Sequence, residues 1–134
     1  MASPTVLVLD GELGFMFALS QELSKRHIGA LPARTAREAR ALIVRFRLDP
    51  DVLVISCASP GACSFAESVA KQRQDVDIIG IVSDRYQCKK CAGRLAATFR
   101  DPEDEAPERI LYCADVIQAL LREQRRRSRQ AGGN

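Results

Sequence analysis

Five cysteines and a pair of acids are the residues of this 134-residue chain with the most chemistry to offer. Cys88 and Cys91 form a CxxC with Lys89 and Lys90 between them, and Cys57, Cys63 and Cys113 are scattered along the chain. Four thiolates would satisfy a structural zinc site. A CxxC thiol near a helix start or a cation loses its proton easily and turns redox active. The spacing speaks against zinc, because C-x5-C followed at a distance by C-x2-C is not a standard zinc pattern. A lone cysteine also packs as a small apolar side chain, which is enough to account for Cys57 and Cys113 at the ends of apolar runs. Asp10 and Glu12, separated by Gly11, follow the run TVLVL and are too few to make a magnesium site by themselves. Ser56 ends DVLVIS, and no histidine or lysine stands near it in sequence to activate its hydroxyl. The single histidine, His27, reads as a surface residue. There is no GxGxxG, no P-loop pattern and no Ser-His-Asp set, so an enzyme is not expected.

These residues need a scaffold, and the chain has the length of one domain. Apolar residues make up 46% and charged residues 28%, a balance that supports a single core. No apolar run reaches the roughly 18 residues of a membrane span, and the start MASPTVLVLD does not read as a signal peptide. A cytoplasmic protein is expected, in which five cysteines would not form a disulfide framework. Net charge is only +3, although DPEDEAPE (101–108) is acidic and LREQRRRSRQ (121–130) basic. These two stretches read as a solvated loop and a frayed tail. Without interleaved aromatics or a groove-reading motif, nucleic acid is not the expected partner.

TVLVLD (5–10), DVLVIS (51–56) and VDIIGIVS (76–83) are short, β-branched and apolar throughout, the pattern of strands buried on both faces. GALPA (29–33) is a weaker strand whose Pro32 suits an edge, and RILYC (109–113) reads as the last strand. Helices are expected between them. Residues 14–26 carry Met16, Leu19 and Leu23 at helical spacing, with Gly29 ending the helix. Residues 36–47 open on the capping box Thr35-Ala-Arg-Glu38 and place Ala36, Ala39, Leu42, Ile43 and Phe46 on one face. Residues 65–73 open on a second such box, Ser64 to Glu67. Residues 85–98 and 114–127 complete the set, the latter with Ile117, Leu120 and Leu121 inward. Strands alternating with helices at this spacing imply a parallel sheet covered on both faces. The expected fold is a three-layer flavodoxin-like (βα)5 with a five-stranded parallel sheet in the order 2-1-3-4-5. Its limits are 1–127, with 128–134 a disordered basic tail or linker.

VLVLDGE (6–12), DVLVISCASPG (51–61), IIGIVS (78–83) and ILYCADVIQALL (110–121) together resemble the receiver domain of two-component response regulators. The likeness extends over roughly 5–125. In that family two acids after the first strand help bind magnesium, the third strand ends in the phosphorylated aspartate, the fourth in Ser or Thr, and the fifth in a lysine usually followed by proline. Carried over by position, Asp10 matches the first acid, Gly11 stands at the second, and Glu12 matches a further acid. Ser56 replaces the phosphoacceptor and Ser83 matches the switch hydroxyl. Cys113 and Ala114 replace the lysine and proline if 101–108 is an insertion; the competing alignment puts Arg100 at the lysine. Cys113 is preferred, because it leaves one ordinary helix after the strand.

The resemblance therefore implies a degenerate, pseudo-receiver pocket made of Asp10, Gly11, Glu12, Ser56, Ser83 and Cys113. Phosphoryl transfer needs a nucleophile, a metal and a cation to hold the product, and the first is missing. The expected function is a non-phosphorylatable module acting through protein–protein interaction in a two-component-type pathway. Its partner would be a kinase, a regulator or a second copy, with a homodimer through 85–98 and 109–127. The alternative is a metal-binding or redox-sensing module, since this fold puts Cys57, Cys63, Cys88, Cys91 and Cys113 at the C-terminal edge of the sheet. No cofactor is expected under the first reading, and zinc is the candidate under the second.

Overall fold

The computed structural model describes residues 4–73, 75–82, 95–100 and 107–132, with side chains placed for all but 95–100, 107, 131 and 132. The chain runs β1 (Thr5–Leu9), α1 (Leu13–Lys25), β2 (Gly29–Ala33), α2 (Ala36–Phe46), β3 (Val52–Ser56), α3 (Ala62–Gln72), β4 (Asp77–Val82), β5 (Leu95–Arg100) and α4 (Pro107–Gly132). The strands are all parallel. The order is β2-β1-β3-β4, with β5 beside β4. This is an α/β flavodoxin-like sheet, as the alternation of patterns implied.

The apolar runs form the middle of the sheet because both of their faces are covered. Alternate residues of a strand point to opposite faces. Val6 and Val8 of β1, Val52 and Val54 of β3, and Ile79 and Ile81 of β4 join a core with Met16, Leu19 and Leu23 of α1 and Ile117 and Leu121 of α4. Leu7, Leu9, Leu53, Ile55 and Ile78 join the opposite core with Ala36 and Ala39 of α2 and Phe65, Ala66 and Val69 of α3. Each fully buried large aliphatic contributes roughly 1.5–3 kcal/mol relative to exposure. β2 lies at the sheet edge, and Pro32, paired with Val8, sits where a missing N–H is tolerated.

Local signals account for several boundaries. The Thr35 side chain caps α2 by accepting from the Glu38 amide at 3.1 Å, while the Glu38 carboxylate accepts from the Arg34 amide at 2.8 Å rather than from Thr35. The helix closes on Arg47 in the left-handed region, and Phe46, expected inward, is exposed. At the other helix-opening signal, Ser64 lies inside α3; Gly61, with φ of 76°, is the N-cap. α1 closes at Arg26 rather than at Gly29, which opens β2, and the exposed His27 follows with φ of 60°.

The largest correction concerns the last third of the chain. Residues 109–113 are not a strand; they belong to α4, which begins at Pro107. Ile110, Cys113, Ala114, Ile117 and Leu121 are buried in one continuous helical stripe, while Leu111 and Tyr112 are exposed. Proline at the first helical position and Glu108 in the first turn are start signals that outweigh the β propensity of Ile-Leu-Tyr. The strand beside β4 is built from LAATFR instead, with a register shift at Ile78/Ile79. Residues 95–98 are therefore strand and not the end of a helix. Residues 85–94 of that expected helix, and 101–106 of the acidic loop, lie outside the described residues. The tail expected to be disordered from 128 continues α4 to Gly132.

Candidate functional site

The C-terminal edge of the sheet collects the polar residues of β1 and β3. β1 and β3 are in register at Leu9↔Ile55, so Asp10 and Ser56, one residue further along each strand, emerge side by side. Asp10 is the one buried charged residue among those described, at 8% exposure. Its amide donates to the Ala33 carbonyl at 3.0 Å, and its Oδ1 accepts from the Glu12 amide at 2.9 Å. The short turn thus fixes the carboxylate by a hydrogen bond two residues ahead. Glu12 is the N-cap residue of α1, exposed and without a side-chain cap bond. Gly11 is exposed as well, and a Cβ built there meets nothing within 4 Å. Neither space nor backbone conformation demands glycine between the two acids.

Ser56 is half-buried and pairs with Ile81 of β4. The Cys57 amide donates to the Ile81 carbonyl at 2.9 Å, and the Ser59 amide donates back to the Ser56 carbonyl at 3.0 Å. These bonds turn the chain sharply toward Gly61, where an added Cβ would lie 3.4 Å from the Ala36 Cβ. Cys57 and Cys63 are half-buried against the α2–α3 core, with Cys63 in the first turn of α3. Cys63 is disulfide-bonded, and its partner lies outside the described residues.

Cys113 does not belong to this edge as expected. It sits in α4, 2% exposed, within the α1–α4 core. Burial pushes its thiol up to about 12, so it is a packing residue with no thiolate at neutral pH. β5 instead ends at Arg100, in register with Val82 at the end of β4. The alignment set aside in the sequence is thus the one the backbone adopts. The helical stripe running unbroken from Ile110 to Leu121 was the available signal. Ser83, Cys88 and Cys91 lie outside the described residues. Among the described residues no group of three or more His, Cys, Asp or Glu side chains is placed to hold a metal ion.

The edge so built offers the buried carboxylate of Asp10, the half-buried Ser56 on the adjacent strand, and a backbone position for a cation at the end of β5. Its architecture is the receiver fold. The chain is similar to a CheY-like response regulator receiver domain from Methanospirillum hungatei at 18% identity, covering 94% of this chain and 99% of that one with a TM-score of 0.74. The REC domain of AraT, a response regulator from Geobacillus stearothermophilus, superposes with the same TM-score at 16% identity, over 92% of this chain and 99% of that one. The response regulator protein TrrA from Thermotoga maritima, solved in complex with magnesium and a beryllium fluoride, gives 0.67 at 18% identity, covering 87% and 98%. No family model and no curated protein matches the chain. No helix among the described residues is long and apolar enough to cross a membrane.

Proposed function

We propose that the chain is a receiver-like, non-enzymatic signalling module of a two-component-type pathway, cytoplasmic, which works by binding a protein and not by carrying an aspartyl-phosphate. The observation that carries this reading is Ser56 at the end of β3, beside Asp10. A neutral hydroxyl needs a base to become a nucleophile, whereas a carboxylate is ready at neutral pH. The neighbouring positions keep part of the family pattern, with the first acid at Asp10, a further acid at Glu12 and a cation, Arg100, ending β5, while Gly11 stands at the second acid. Loss of the reacting carboxylate and of one metal-binding acid on a retained fold is what a scaffold kept for binding would show.

Exposed apolar surface supports a protein partner. Leu13 and Phe17 of α1 are 41% and 56% exposed, and Leu111 and Tyr112 of α4 are 45% and 61% exposed. α1 and α4 pack on each other and both begin at the C-terminal edge of the sheet. Only the α4 part of this surface coincides with the homodimer face expected from 85–98 and 109–127. A kinase, a regulator or a second copy would fit it.

The test is exposure to acetyl phosphate with magnesium, read by intact mass. The natural chain is expected to gain nothing, while the double variant Gly11→Asp, Ser56→Asp gains one hydroxylamine-labile phosphoryl group. Gly11 has room for the side chain. A labile phosphoryl group on the natural chain would overturn the reading.

The disulfide at Cys63 favours a second reading, a thiol redox module on the same scaffold. A disulfide in a cytoplasmic protein is most often transient and sensing. Replacing Cys63 by Ser should then abolish any change in partner binding between oxidised and reduced protein. In the reduced state the released thiolates could take up zinc, which metal analysis of anaerobically purified protein would detect.

A further inference from the structure

The C-terminal half of α4 carries a positive face that the module proposed above does not use. Five of the eight residues from Arg122 to Arg129 are arginines and one, Glu123, is acidic. Arg122, Arg126 and Arg129 fall at i, i+4 and i+7, with Arg125 at i+3 completing one face of the helix. All four are exposed. Arg122, Arg125 and Arg129 make no ion pair among the described residues, and Arg126 has only the surface contact to Glu123 at 2.8 Å. Exposed pairs of that kind are weak and exchange readily.

The helix that carries this face is anchored to the sheet. Gln124 projects to the other side of the helix and its Nε2 donates to the Asp51 carbonyl at 2.8 Å and to Asp77 Oδ2 at 2.6 Å. Arg127 pairs with the same Asp77 carboxylate at 3.5 Å. Gln124 and Arg127 thus fasten the helix to the N-terminal edge of the sheet beside a groove of about 470 Å³, whose wall includes Asp51, Asp75 and Arg125. The helix under the arginines is thereby anchored to the sheet, so the ordering cost of binding falls on their exposed side chains and not on the backbone.

We propose that Arg122, Arg125, Arg126 and Arg129 bind the phosphate backbone of duplex nucleic acid. The face extends about 10 Å along the helix axis, the axial span of about three phosphates on one strand. Every cation in it is arginine, whose planar fork fits a phosphate with two bonds. A bilayer is the poorer match. An interfacial helix needs an apolar side to insert, and that side of α4, from Ile110 through Ile117 to Leu121, is buried in the core. An acidic peptide is also the poorer match. Protein hot spots are Trp, Tyr and Arg side chains seated in desolvated pockets; these arginines are all exposed, and the exposed Tyr112 lies ten residues, about 15 Å, from Arg122. Contact is to the backbone, without base readout.

The experiment measures binding of the full chain to a labelled mixed-sequence DNA duplex by anisotropy at several salt concentrations. Three or four phosphate contacts predict a log–log slope between about −2.7 and −3.6, or roughly a 40- to 150-fold loss of affinity from about 50 to 200 mM salt. Arg122→Gln with Arg129→Gln should lower the slope by about 1.8. Arg34→Gln with Arg37→Gln, an equal charge loss on the exposed start of α2, should leave it unchanged. Equal effects of the two double variants would overturn the proposal. So would tighter binding to phosphatidylserine vesicles, or displacement of the duplex by polyglutamate at equal charge. All these side chains are exposed, and an unchanged far-UV spectrum and melting temperature check that each variant is folded.

Discussion

At Cys113 the chemistry of one residue is decided by its element. The same thiol at a strand end would face the site; in α4 it faces the core, 2% exposed. Its folded pKa lies near 12 because burial disfavours the thiolate, against an ordinary value of 9.0. The native state therefore holds the proton more tightly than the unfolded chain. Stability contributed by the neutral thiol is complete below pH 9 and is lost as pH rises toward 12. Urea melts should show this loss, at roughly 1.4 kcal/mol per pH unit in that window, and Cys113→Ala should flatten the slope. Asp10 is the opposite case, since its position after a buried strand was legible from TVLVLD alone. Ser56 was legible in the same way. Arg100 was legible only as the competing alignment that was set aside, because LAATFR has the composition of a helix and forms a strand beside β4.

Elements were legible where one period dominated. β1, β3 and β4 are apolar on both faces, and they are the strands buried on both faces. The Thr35 cap is a second case, and Thr35→Ala should cost about 1 kcal/mol in thermal or chemical melts. The sequence misled at 109–113, where five residues satisfy both a strand and the first turns of a helix. The tie is broken by residues further along, because Ile110 repeats at 114, 117 and 121. A pair of variants separates the two conformations directly. Ile110→Ser should lower the melting temperature markedly and Leu111→Ser should leave it nearly unchanged, since helical geometry buries the first and exposes the second. Ile117→Ala, at a fully buried position of the same stripe, should cost about 2–5 kcal/mol.

For the whole molecule, α4 is the element that ties the two ends of the sheet together. It starts at the C-terminal edge, packs along α1, and is fastened at the far edge by Gln124 to Asp51 and Asp77. Arg26, at the end of α1, adds a link by donating to Asp115 at 2.7 Å and Gln118 at 3.1 Å. Gln124→Ala should therefore loosen the last turns without unfolding the sheet. Hydrogen exchange would show amides after 124 losing protection while those of β1 and β3 keep theirs.

The edge strand β2 has one more effect. Its pairing partner on one side is β1, and on the other it is open among the described residues. An open edge of a parallel sheet is a template onto which a strand from another chain can add, and at high concentration that leads to aggregates. Pro32, the fourth of the five residues of β2, has no N–H to offer and a ring that obstructs an incoming backbone. The same residue that weakened GALPA as a strand in the sequence thus protects the folded protein in solution. Pro32→Val should raise the strand propensity of β2 and, with it, the rate at which concentrated samples grow thioflavin-positive fibrils.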